Sequence, residues 1–474
     1  MNDGQKKELT ALLEQAGQVH LLRYWDSLND EQREHLASQI KSIDWQTVLG
    51  WLRTAGEGFS KESLERLVPA PYKAAVPSTK EDKALYENAR KLGETLLSGG
   101  QVAAFTVAGG QGTRLGYDGP KGTYPVTQIM HKSLFQVFAE GILRTQKKYG
   151  TCIPWYIMTS NINDSATRAF FEENAYFGLK REQLMFFSQG MLPAFDIATG
   201  KALLETPCSL ALSPNGHGGS FEALRNSGAL DDMKKRGIKV ISYWQVDNPL
   251  IRQFDTLFIG LHSLLGSDMS SKALLKRDAK EKLGHFCLLD GKLTIIEYSD
   301  MPDVLLYKKD ATGQLAFRAG SPAMHVISRE FVERLTAAKL ELQPHKASKK
   351  VKHLNENGDL VSPDKPNAIK LEFFLFDALP LAKNPLILEG DREDEFAPVK
   401  NAEGDDSPES SRRYMLNRAV RMLSQAGVKV PLKEDGSPDA VIELSPAIFG
   451  DADDVRANIS IIPEIKPGSQ LYIG

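Results

Sequence analysis

Short apolar runs alternate with capped helical stretches between residues 102 and 246, and this alternation restricts the fold more than any other feature. Four runs have the length and composition of buried strands: VAAFTVA (102–108), WYIMTS (155–160), LMFFSQ (184–189) and IKVISYWQV (238–246). Strands that alternate with helices predict a doubly wound, Rossmann-like α/β fold with a mostly parallel central sheet. Such sheets bind ligands at the carboxyl ends of their strands, so the polar residues after each run are candidates for a site.

The 474 residues exceed what one hydrophobic core usually serves, so we expect more than one domain. Residues 1–97 show helical spacing and predict an N-terminal helical segment, and residues 98–385 predict the central catalytic domain. Residues 386–474 predict a charged loop followed by a small β-rich module, in which AVIEL and ISIIP are the expected strands.

Composition disfavours several classes of protein. The formal net charge is −3, so no overall field favours nucleic acid or an anionic membrane. The start MNDGQKKELT lacks the apolar core of a signal peptide, and no apolar run approaches the roughly 20 residues of a membrane span. Cys152, Cys208 and Cys287 lie far apart, which argues against a zinc site or a disulfide framework and favours a cytoplasmic location. The oligomeric state stays open.

The strongest candidate for a phosphate-binding segment follows the first apolar run, in VAGGQGTRLGYDGPKG (107–122). Its glycines let a ligand approach the main chain, whose N–H groups can bind phosphate oxygens. Arg114 and Lys121 add two positive charges. The combination predicts a cradle for a nucleoside triphosphate, because cations must meet the charge of a departing pyrophosphate. A glycine-rich turn with solvated charges is the alternative interpretation.

Two better-known phosphate motifs are excluded. The dinucleotide fingerprint GxGxxG, started at Gly110, would need a third glycine where Leu115 stands. The pattern GxxxxGK[ST] fails because Lys121 follows a proline and no Ser or Thr comes next. A dehydrogenase and a P-loop nucleotidase are therefore disfavoured.

The motifs GGQGTRLG and PKG resemble the signature of nucleotidyltransferases that make UDP-sugars. More narrowly, the chain resembles the eukaryotic-type UDP-N-acetylhexosamine pyrophosphorylases and their bacterial relatives. The resemblance runs from about residue 100 to 405 through FFSQGMLPA, PNGHGG, QVDNPL, IIEYSDM, AIKLEFFLFD and REDEFAPVKN. It implies transfer of a uridylyl group from UTP to a sugar 1-phosphate, with Mg²⁺ as cofactor.

The resemblance also implies roles for individual residues. The expected catalytic cations are Arg114, Lys121 and Lys400. The expected nucleotide-binding residues are Val107, Ala108, Gly109, Gly110, Gln189, Gly216, Asp247 and Lys370, of which Asp247 is also the expected Mg²⁺ ligand. The expected sugar-binding residues are His217, Glu297, Tyr298 and Ser321.

Taken alone, several of these residues allow another interpretation. The amide of Gln189 suits the edge of a uracil ring but can equally face solvent. A carboxylate at a strand end, as at Asp247, can hold Mg²⁺ or cap a turn. Lys370 lies in the apolar context AIKLEFF, where a phosphate or an ordinary salt bridge would compensate its charge.

Two positions depart from the family pattern. The N-acetylhexosamine enzymes usually carry Asn where His217 stands, and AGN where this chain reads AGS with Ser321. N-acetylhexosamine 1-phosphate is therefore the first expectation for the sugar, with glucose 1-phosphate or broad specificity as alternatives. A non-catalytic nucleotide-sugar binding protein is a second class, but a sensor would not need all of the charged residues that the resemblance assigns to the phosphates.

Overall fold

The computed structural model describes residues 2–56, 61–338 and 342–474. Of the predicted helical segment, residues 1 and 57–60 lie outside the described residues, as do residues 339–341 of the predicted central domain. The helices of the described residues are α1 (Asn2–Ala16), α2 (Asp30–Lys41), α3 (Trp45–Thr54), α4 (Lys61–Glu65), α5 (Lys80–Ser98), α6 (Leu134–Tyr149), α7 (Asp164–Glu173), α8 (Ser220–Asn226), α9 (Ala229–Lys235), α10 (Thr256–Leu264), α11 (Asp303–Leu306), α12 (Arg329–Leu335), α13 (Arg392–Glu395), α14 (Pro408–Gln425) and α15 (Ala452–Ala457).

The strands of the described residues are β1 (Val68–Pro69), β2 (Val102–Val107), β3 (Trp155–Thr159), β4 (Leu184–Ser188), β5 (Met191–Pro193), β6 (Phe195–Asp196), β7 (Leu204–Thr206), β8 (Ser209–Leu210), β9 (Leu212–Pro214), β10 (Val240–Gln245), β11 (Met269–Leu275), β12 (Gly284–Leu289), β13 (Lys292–Ile296), β14 (Ala319–Ser321), β15 (His325–Ser328), β16 (His345–Lys349), β17 (His353–Leu354), β18 (Leu360–Val361), β19 (Ala368–Glu372), β20 (Leu386–Glu389), β21 (Ala440–Leu444) and β22 (Ser469–Ile473).

The chain divides into two compact units, each assembled from three stretches. The first unit comprises Met1–Glu65, Gln189–Glu222 and Leu340–Ala378, and the second comprises Arg66–Ser188, Ala223–Lys339 and Leu379–Gly474. The sequence-based boundaries at residues 97 and 385 fall elsewhere, and that three-part division stays a prediction.

The second unit contains the large sheet, in the order β1-β12-β14-β11-β15-β10-β2-β3-β4, with β13 beside β12 and β20 beside β11. The predicted α/β class with a large central sheet is confirmed. Strands β10, β2, β3 and β4 are parallel, as the alternation of strands and helices predicts. Along the rest of the sheet, the pairings among β15, β11, β14, β12, β13 and β1 and the pairing of β15 with β10 are antiparallel. Strand β20 pairs in parallel with β11, so parallel pairing is found in β10-β2-β3-β4 and in β11-β20.

One hairpin shows why the second half of the sheet differs. The two residues between β12 and β13, Asp290 and Gly291, have φ angles of 50° and 77°. A two-residue turn with both φ values positive matches the twist of an antiparallel pair. The Asp-Gly pair therefore carried a signal for antiparallel pairing that the predicted parallel order left out.

Helix α6 is capped at both ends. The Ser133 side chain accepts a hydrogen bond from the Gln136 N–H (3.1 Å), and Gly150 ends the helix at φ 62°. A serine cap and a left-handed glycine satisfy the free ends of a helix at its two termini. The helix buries Phe135 and Phe138 in the core that surrounds the parallel strands.

The C-terminal module differs from its predicted form. The AVIEL segment is β21, which confirms that prediction, and it pairs in parallel with β22. The prediction of a strand at ISIIP is wrong, because Ile459–Ile461 forms a 3₁₀ turn after α15. The predicted loop after residue 386 contains β20, α13 and the start of α14. Ser407 caps α14 and Pro408 follows at its first turn, so residues typical of loops here begin a helix.

The first unit packs its N-terminal helices against strands that come much later in the chain. Trp25 and Leu36 share one buried core with Phe195, Leu204 and Leu371. These helices are therefore part of the unit's interior. Among residues 2–56, 61–338 and 342–474, no helix combines the length and apolar character that a membrane crossing requires.

Candidate functional site

Three polar segments leave the parallel half of the sheet at the same edge. Val107 of β2 pairs with Gln245 of β10 on one side and with Met158 of β3 on the other. The chain continues from these strand ends into the glycine loop (residues 108–122), into Asp247 and into Ser160. The carboxyl edge of the sheet therefore brings together the segments that the sequence singled out.

Main-chain hydrogen bonds close the glycine loop at its base. The Gly112 N–H donates to Gly119 O (2.9 Å), and the Lys121 N–H donates to Gly110 O (3.0 Å). In the described part of the chain, the N–H groups of Gly109, Gly110 and Gln111 have no protein acceptor. Consecutive free N–H groups in a fixed loop are the main-chain donors that bind anions.

Two side chains after β3 hold the carbonyl groups of the same loop. The Asn163 Nδ2 donates to Ala108 O (2.9 Å) and Gly110 O (3.2 Å), and the Ser160 Oγ donates to Gly109 O (2.9 Å). Asn163 is fully buried and its Oδ1 accepts from the Ser160 N–H (2.9 Å). The carbonyl groups are thus satisfied from within, which leaves the N–H groups for a ligand. Neither residue was predicted: Ser160 ends the predicted strand WYIMTS, and Asn163 acts on a carbonyl group 55 positions earlier in the chain.

Lys121 lies among three other charged groups of the predicted site. Burial lowers the pKa of Lys121; the Asp247 carboxylate opposes this, while Lys400 and Arg114 lower the pKa further. The structure therefore brings all four within electrostatic range of each other. Around Lys121 itself, the two further cations outnumber the one carboxylate, and a polyanionic ligand would neutralise this positive charge.

The chain around Lys400 is tied to this edge of the sheet. The Val399 N–H donates to Asp247 O (2.8 Å), and the Lys400 N–H donates to Asp406 O (2.6 Å). Burial raises the pKa of Asp406; Lys400 opposes this and Asp247 adds to it. Asp406 is a third residue of this region that was not predicted, because nothing in a charged, glycine-containing loop marks one aspartate among several.

The residues present fit a magnesium ion that is shared with a substrate. In the described ranges, no cluster of three or more His, Cys, Asp or Glu side chains could enclose a metal. Mg²⁺ usually takes one or two carboxylates and completes its octahedron with water and substrate phosphate oxygens. Asp247 is partly buried beside Lys121, which is the kind of single oxygen ligand that this arrangement needs.

Two of the predicted sugar-binding residues lie together in the antiparallel half. Ser321 pairs with Gly284 across β14 and β12. A Cβ atom on Gly284 would lie 3.6 Å from the Glu297 Oε1. Tyr298 follows in the next turn and is 43% exposed. The structure therefore groups Glu297 with Ser321 and leaves the ring of Tyr298 open to solvent.

In the first unit, main-chain contacts fix Gly216. The Gly218 N–H donates to Phe373 O (2.8 Å), and the Phe373 N–H donates to Asn215 O (2.8 Å). Gly216 has φ 83°, and a Cβ atom there would lie 2.5 Å from Phe373 O. Both the angle and the close approach require glycine at this position. Gln189 is 9% exposed, which disfavours the solvent-facing alternative for its amide.

His217 is a neutral histidine of the first unit. Its Nδ1 accepts from the Leu375 N–H (3.1 Å), and its ring stacks on Phe374 at 5.5 Å between centroids. Burial, and then the nearby His345, lower the pKa of His217 to about 4. Because Nδ1 accepts, the neutral ring carries its proton on Nε2, so His217 offers a hydrogen-bond donor at neutral pH.

Lys370 lies on β19 opposite Ala347 of β16. Among the described residues, no carboxylate lies within 4.0 Å of its ammonium group, so the salt-bridge alternative finds no partner. The other predicted counter-charge for Lys370, a phosphate oxygen of a ligand, remains a prediction.

Comparison with known proteins decides the family. The family model described as UTP–glucose-1-phosphate uridylyltransferase matches residues 63–474. The chain belongs to the UTP–glucose-1-phosphate uridylyltransferase family. Among its relatives, the UDP-N-acetylhexosamine pyrophosphorylase-like protein 1 of Xenopus tropicalis is 36% identical over 470 residues, covering 92% of this chain and 91% of the relative.

Two further members of the family are similar over most of their length. The UDP-N-acetylglucosamine pyrophosphorylase of Saccharomyces cerevisiae is 36% identical over 437 residues, covering 88% of this chain and 91% of the yeast protein. The crystal structure of the uridine diphosphate N-acetylglucosamine pyrophosphorylase of Trypanosoma brucei in complex with an inhibitor has a TM-score of 0.80 at 27% identity, and covers 99% of this chain and 98% of that one. The resemblance that the motifs predicted is confirmed.

Gly110→Ala tests the glycine loop without disturbing the fold. A Cβ atom on Gly110 meets no protein atom within 4 Å, and the residue does not have a positive φ. We expect an unchanged Tm but at least a tenfold weaker UTP affinity, since a methyl group would stand where phosphate oxygens approach (a loss of about 1.4 kcal/mol). Calorimetric titration with UTP and Mg²⁺ measures this.

A matched control exists in α3, where a Cβ on Gly50 also meets no atom within 4 Å. Gly50→Ala should raise stability slightly, because alanine favours a helix, and should leave UTP affinity unchanged. Equal UTP affinity of Gly110→Ala and the wild type would show that phosphate does not approach this glycine.

Buried histidines predict that the protein loses stability in mild acid. Burial lowers the pKa of His262 to about 3, and burial with Lys276 nearby lowers that of His285 to about 4, as for His217. The unfolded chain binds these protons below about pH 6.5, whereas the folded chain does so only near pH 4, so stability falls as pH drops through this window. We expect a loss of about 1–2 kcal/mol per histidine between pH 7 and 5, measured by urea unfolding. His262→Gln should flatten the slope, and equal stability at the two pH values would contradict the assignment.

Proposed function

We propose that this chain transfers the uridylyl group of UTP to a sugar 1-phosphate and releases pyrophosphate. The observation that carries the proposal is the placement of Lys121 beside Arg114, Lys400 and Asp247 at the open N–H groups of the glycine loop. A member of this family with a polycationic cradle at the carboxyl edge of its sheet has the means to hold a triphosphate during attack at its α-phosphorus.

The reaction needs no nucleophilic side chain. An oxygen of the sugar 1-phosphate forms a bond to the α-phosphorus of UTP, and the bond from that phosphorus to the β-phosphate oxygen breaks. Both electrons of the broken bond leave with pyrophosphate, so no proton transfer is required. Lys121 and Arg114 stabilise the UTP phosphates, and Lys400 orients the sugar phosphate. Asp247 would hold Mg²⁺, and the ion would supply further neutralisation of phosphate charge.

The remaining predicted residues supply recognition in this proposal. Gln189 offers both a donor and an acceptor to the uracil edge, and Gly216 lets the nucleoside approach bare main chain. Lys370 provides its ammonium group to a nucleotide phosphate, in keeping with the absence of a carboxylate partner in the described ranges.

For the sugar, we propose an N-acetylhexosamine 1-phosphate. The named relatives of similar length include UDP-N-acetylglucosamine pyrophosphorylases. His217 replaces the asparagine typical of those enzymes but keeps a donor at Nε2, which suits an acetamido carbonyl. Glu297 and Ser321 would accept from sugar hydroxyls. Glucose 1-phosphate and broad specificity are the alternatives.

We further propose that the enzyme works in the cytoplasm. Its three cysteines are free thiols, of which Cys152 is exposed and Cys287 is buried. Free thiols are typical of proteins in a reducing compartment. A fractionation that recovered the chain with secreted proteins would contradict this location.

A pyrophosphate-release assay tests the proposed function. UTP, Mg²⁺ and one sugar 1-phosphate at a time are supplied, with N-acetylglucosamine, N-acetylgalactosamine, glucose and galactose 1-phosphates as the panel. We expect the largest kcat/KM with an N-acetylhexosamine 1-phosphate. Pyrophosphate release with glucose 1-phosphate and no other sugar would support the proposed reaction but contradict the proposed sugar. UTP binding without pyrophosphate release from any sugar would indicate a non-catalytic binding protein.

A further inference from the structure

A cavity of about 100 Å³ lies within the second unit, lined by none of the residues of the glycine loop itself. Its walls come from α6, from residues 249–253, from α14 and from the strand β21; we call it the α6–α14 cavity. Much of the wall is apolar, with contributions from Val137, Phe138, Met415, Ala419, Met422 and Ile442. An apolar cavity of this size holds a small organic molecule, whereas a nucleotide would not fit.

Arg418 brings a buried charge to this cavity. Its two terminal nitrogens donate to Leu250 O and Gly450 O, both at 3.0 Å. Among the described residues, no carboxylate lies within 4.0 Å of this guanidinium. Burial lowers the pKa of Arg418 to about 10. A buried cation that donates its hydrogen bonds to neutral carbonyl groups gains energy from an anion that reaches it.

Two more guanidinium groups share the cavity wall. Arg412 donates to Val126 O (3.0 Å) and Pro125 O (3.2 Å), again without a carboxylate partner in the described ranges. Arg144 donates to Pro446 O (2.7 Å) and Phe449 O (3.1 Å), and its closest carboxylate is Asp454 at 3.6 Å. Three cations therefore line the cavity beside its apolar residues.

One carboxylate also lines the cavity. The Glu443 Oε2 accepts from the Ile129 N–H (2.7 Å) and the Met130 N–H (3.1 Å), so it is directed towards main chain. Its buried Oε1 has no donor among the described residues, and Glu443 forms no salt bridge with the arginines. The cavity thus keeps an excess of positive charge, and Glu443 adds an acceptor that a hydroxyl or amino group could satisfy.

We propose that the α6–α14 cavity is a binding site for a small organic anion with an apolar body, such as an aromatic or branched aliphatic carboxylate. The carboxylate pairs with the arginines of α14, and the apolar body packs between Phe138 and Met422. The site touches both catalytic segments, because Leu250 comes three residues after Asp247 and Arg412 holds the carbonyl groups that follow the glycine loop.

The test uses benzoate as the probe, with the full-length protein and saturating UTP and Mg²⁺ so that the glycine loop is already occupied. Benzoate at about ten times its Kd should raise Tm by roughly 1–3 °C. Benzyl alcohol, of similar shape but without charge, should not. Ala419→Leu fills the cavity with apolar atoms and keeps every charge, so it should abolish the benzoate shift while the protein still folds.

A second variant tests whether benzoate binding needs the charge of Arg418 in addition to the apolar walls of the cavity. Arg418→Met keeps the length of the side chain and should weaken benzoate at least tenfold relative to the wild type. Equal shifts with benzoate and benzyl alcohol would overturn the assignment of an anion. A benzoate shift that survives Ala419→Leu, or no shift with benzoate, isovalerate or phenylphosphonate, would overturn the site. Binding is read without turnover, so this result does not depend on the proposed reaction.

Discussion

Lys121→Ala should lower kcat for pyrophosphate release by about 100- to 1000-fold, the loss expected when a fixed charge no longer meets a developing one. Burial keeps this ammonium poorly solvated in the free protein, and two neighbouring cations disfavour its charge further. Its charge is therefore available to the phosphates with little reorganisation when the leaving group departs. The variant should bind sugar 1-phosphate nearly as well as the wild type, so that the effect appears mainly in kcat.

The Tm of Lys121→Ala distinguishes a specific loss of catalysis from a loss of folding stability. Because burial disfavours the charged form of Lys121, its removal should leave Tm unchanged or higher, as is usual for a residue retained for activity. Lys83→Ala makes the same change of charge on the exposed face of α5 and should leave kcat unchanged. Wild-type turnover in Lys121→Ala, with tight UTP binding, would remove the phosphate-clamp assignment.

Asp247→Asn should lower kcat by about 100-fold at a fixed Mg²⁺ concentration and raise the Mg²⁺ concentration needed for half-maximal rate at least tenfold. The amide keeps the size of the side chain but loses the charge that a hard cation prefers. The main-chain bond from the Val399 N–H to Asp247 O does not involve the side chain, so the attachment of the Lys400 segment survives. Titration of rate against Mg²⁺ measures both quantities.

A matched acid lies in the glycine loop itself. Asp118 is exposed, and Asp118→Asn changes the charge of the same region by the same amount. It should leave the Mg²⁺ dependence as in the wild type. Chelation of Mg²⁺ by EDTA should abolish pyrophosphate release from the unchanged protein. Full activity in EDTA, or equal Mg²⁺ curves for both variants, would show that Asp247 does not hold a metal needed for turnover.

The sequence predicted the parallel strands β10, β2, β3 and β4 and the position of the glycine loop and Asp247 at their carboxyl ends, because both follow from local patterns. A buried strand that ends in glycines fixes where the loop must emerge, and parallel register then sets Asp247 beside it. The roles of Asn163 and Asp406 could not be predicted from local sequence patterns. Each acts through hydrogen bonds or charges to residues about 50 or 160 positions away, and no local pattern records such a pairing.

The antiparallel half and the two-unit division escaped prediction for a related reason. Pairing of β11 with β15, or of β16 with β19, depends on which distant strand is nearest in space. Local signals were present only at tight turns, as at Asp290. The wrong ISIIP strand shows the reverse case, in which β-branched residues favour a strand and yet occupy a 3₁₀ turn that caps α15.

The shared core of the first unit has a practical consequence for anyone shortening this protein. The family match begins at residue 63, which invites an expression clone that starts there. Such a clone would lack Trp25 and Leu36 and leave Phe195 and Leu371 facing water, since these four side chains bury one another. The shortened polypeptide should aggregate. The helices before residue 56 therefore support, through this shared core, the segments that carry Gln189, Gly216 and Lys370.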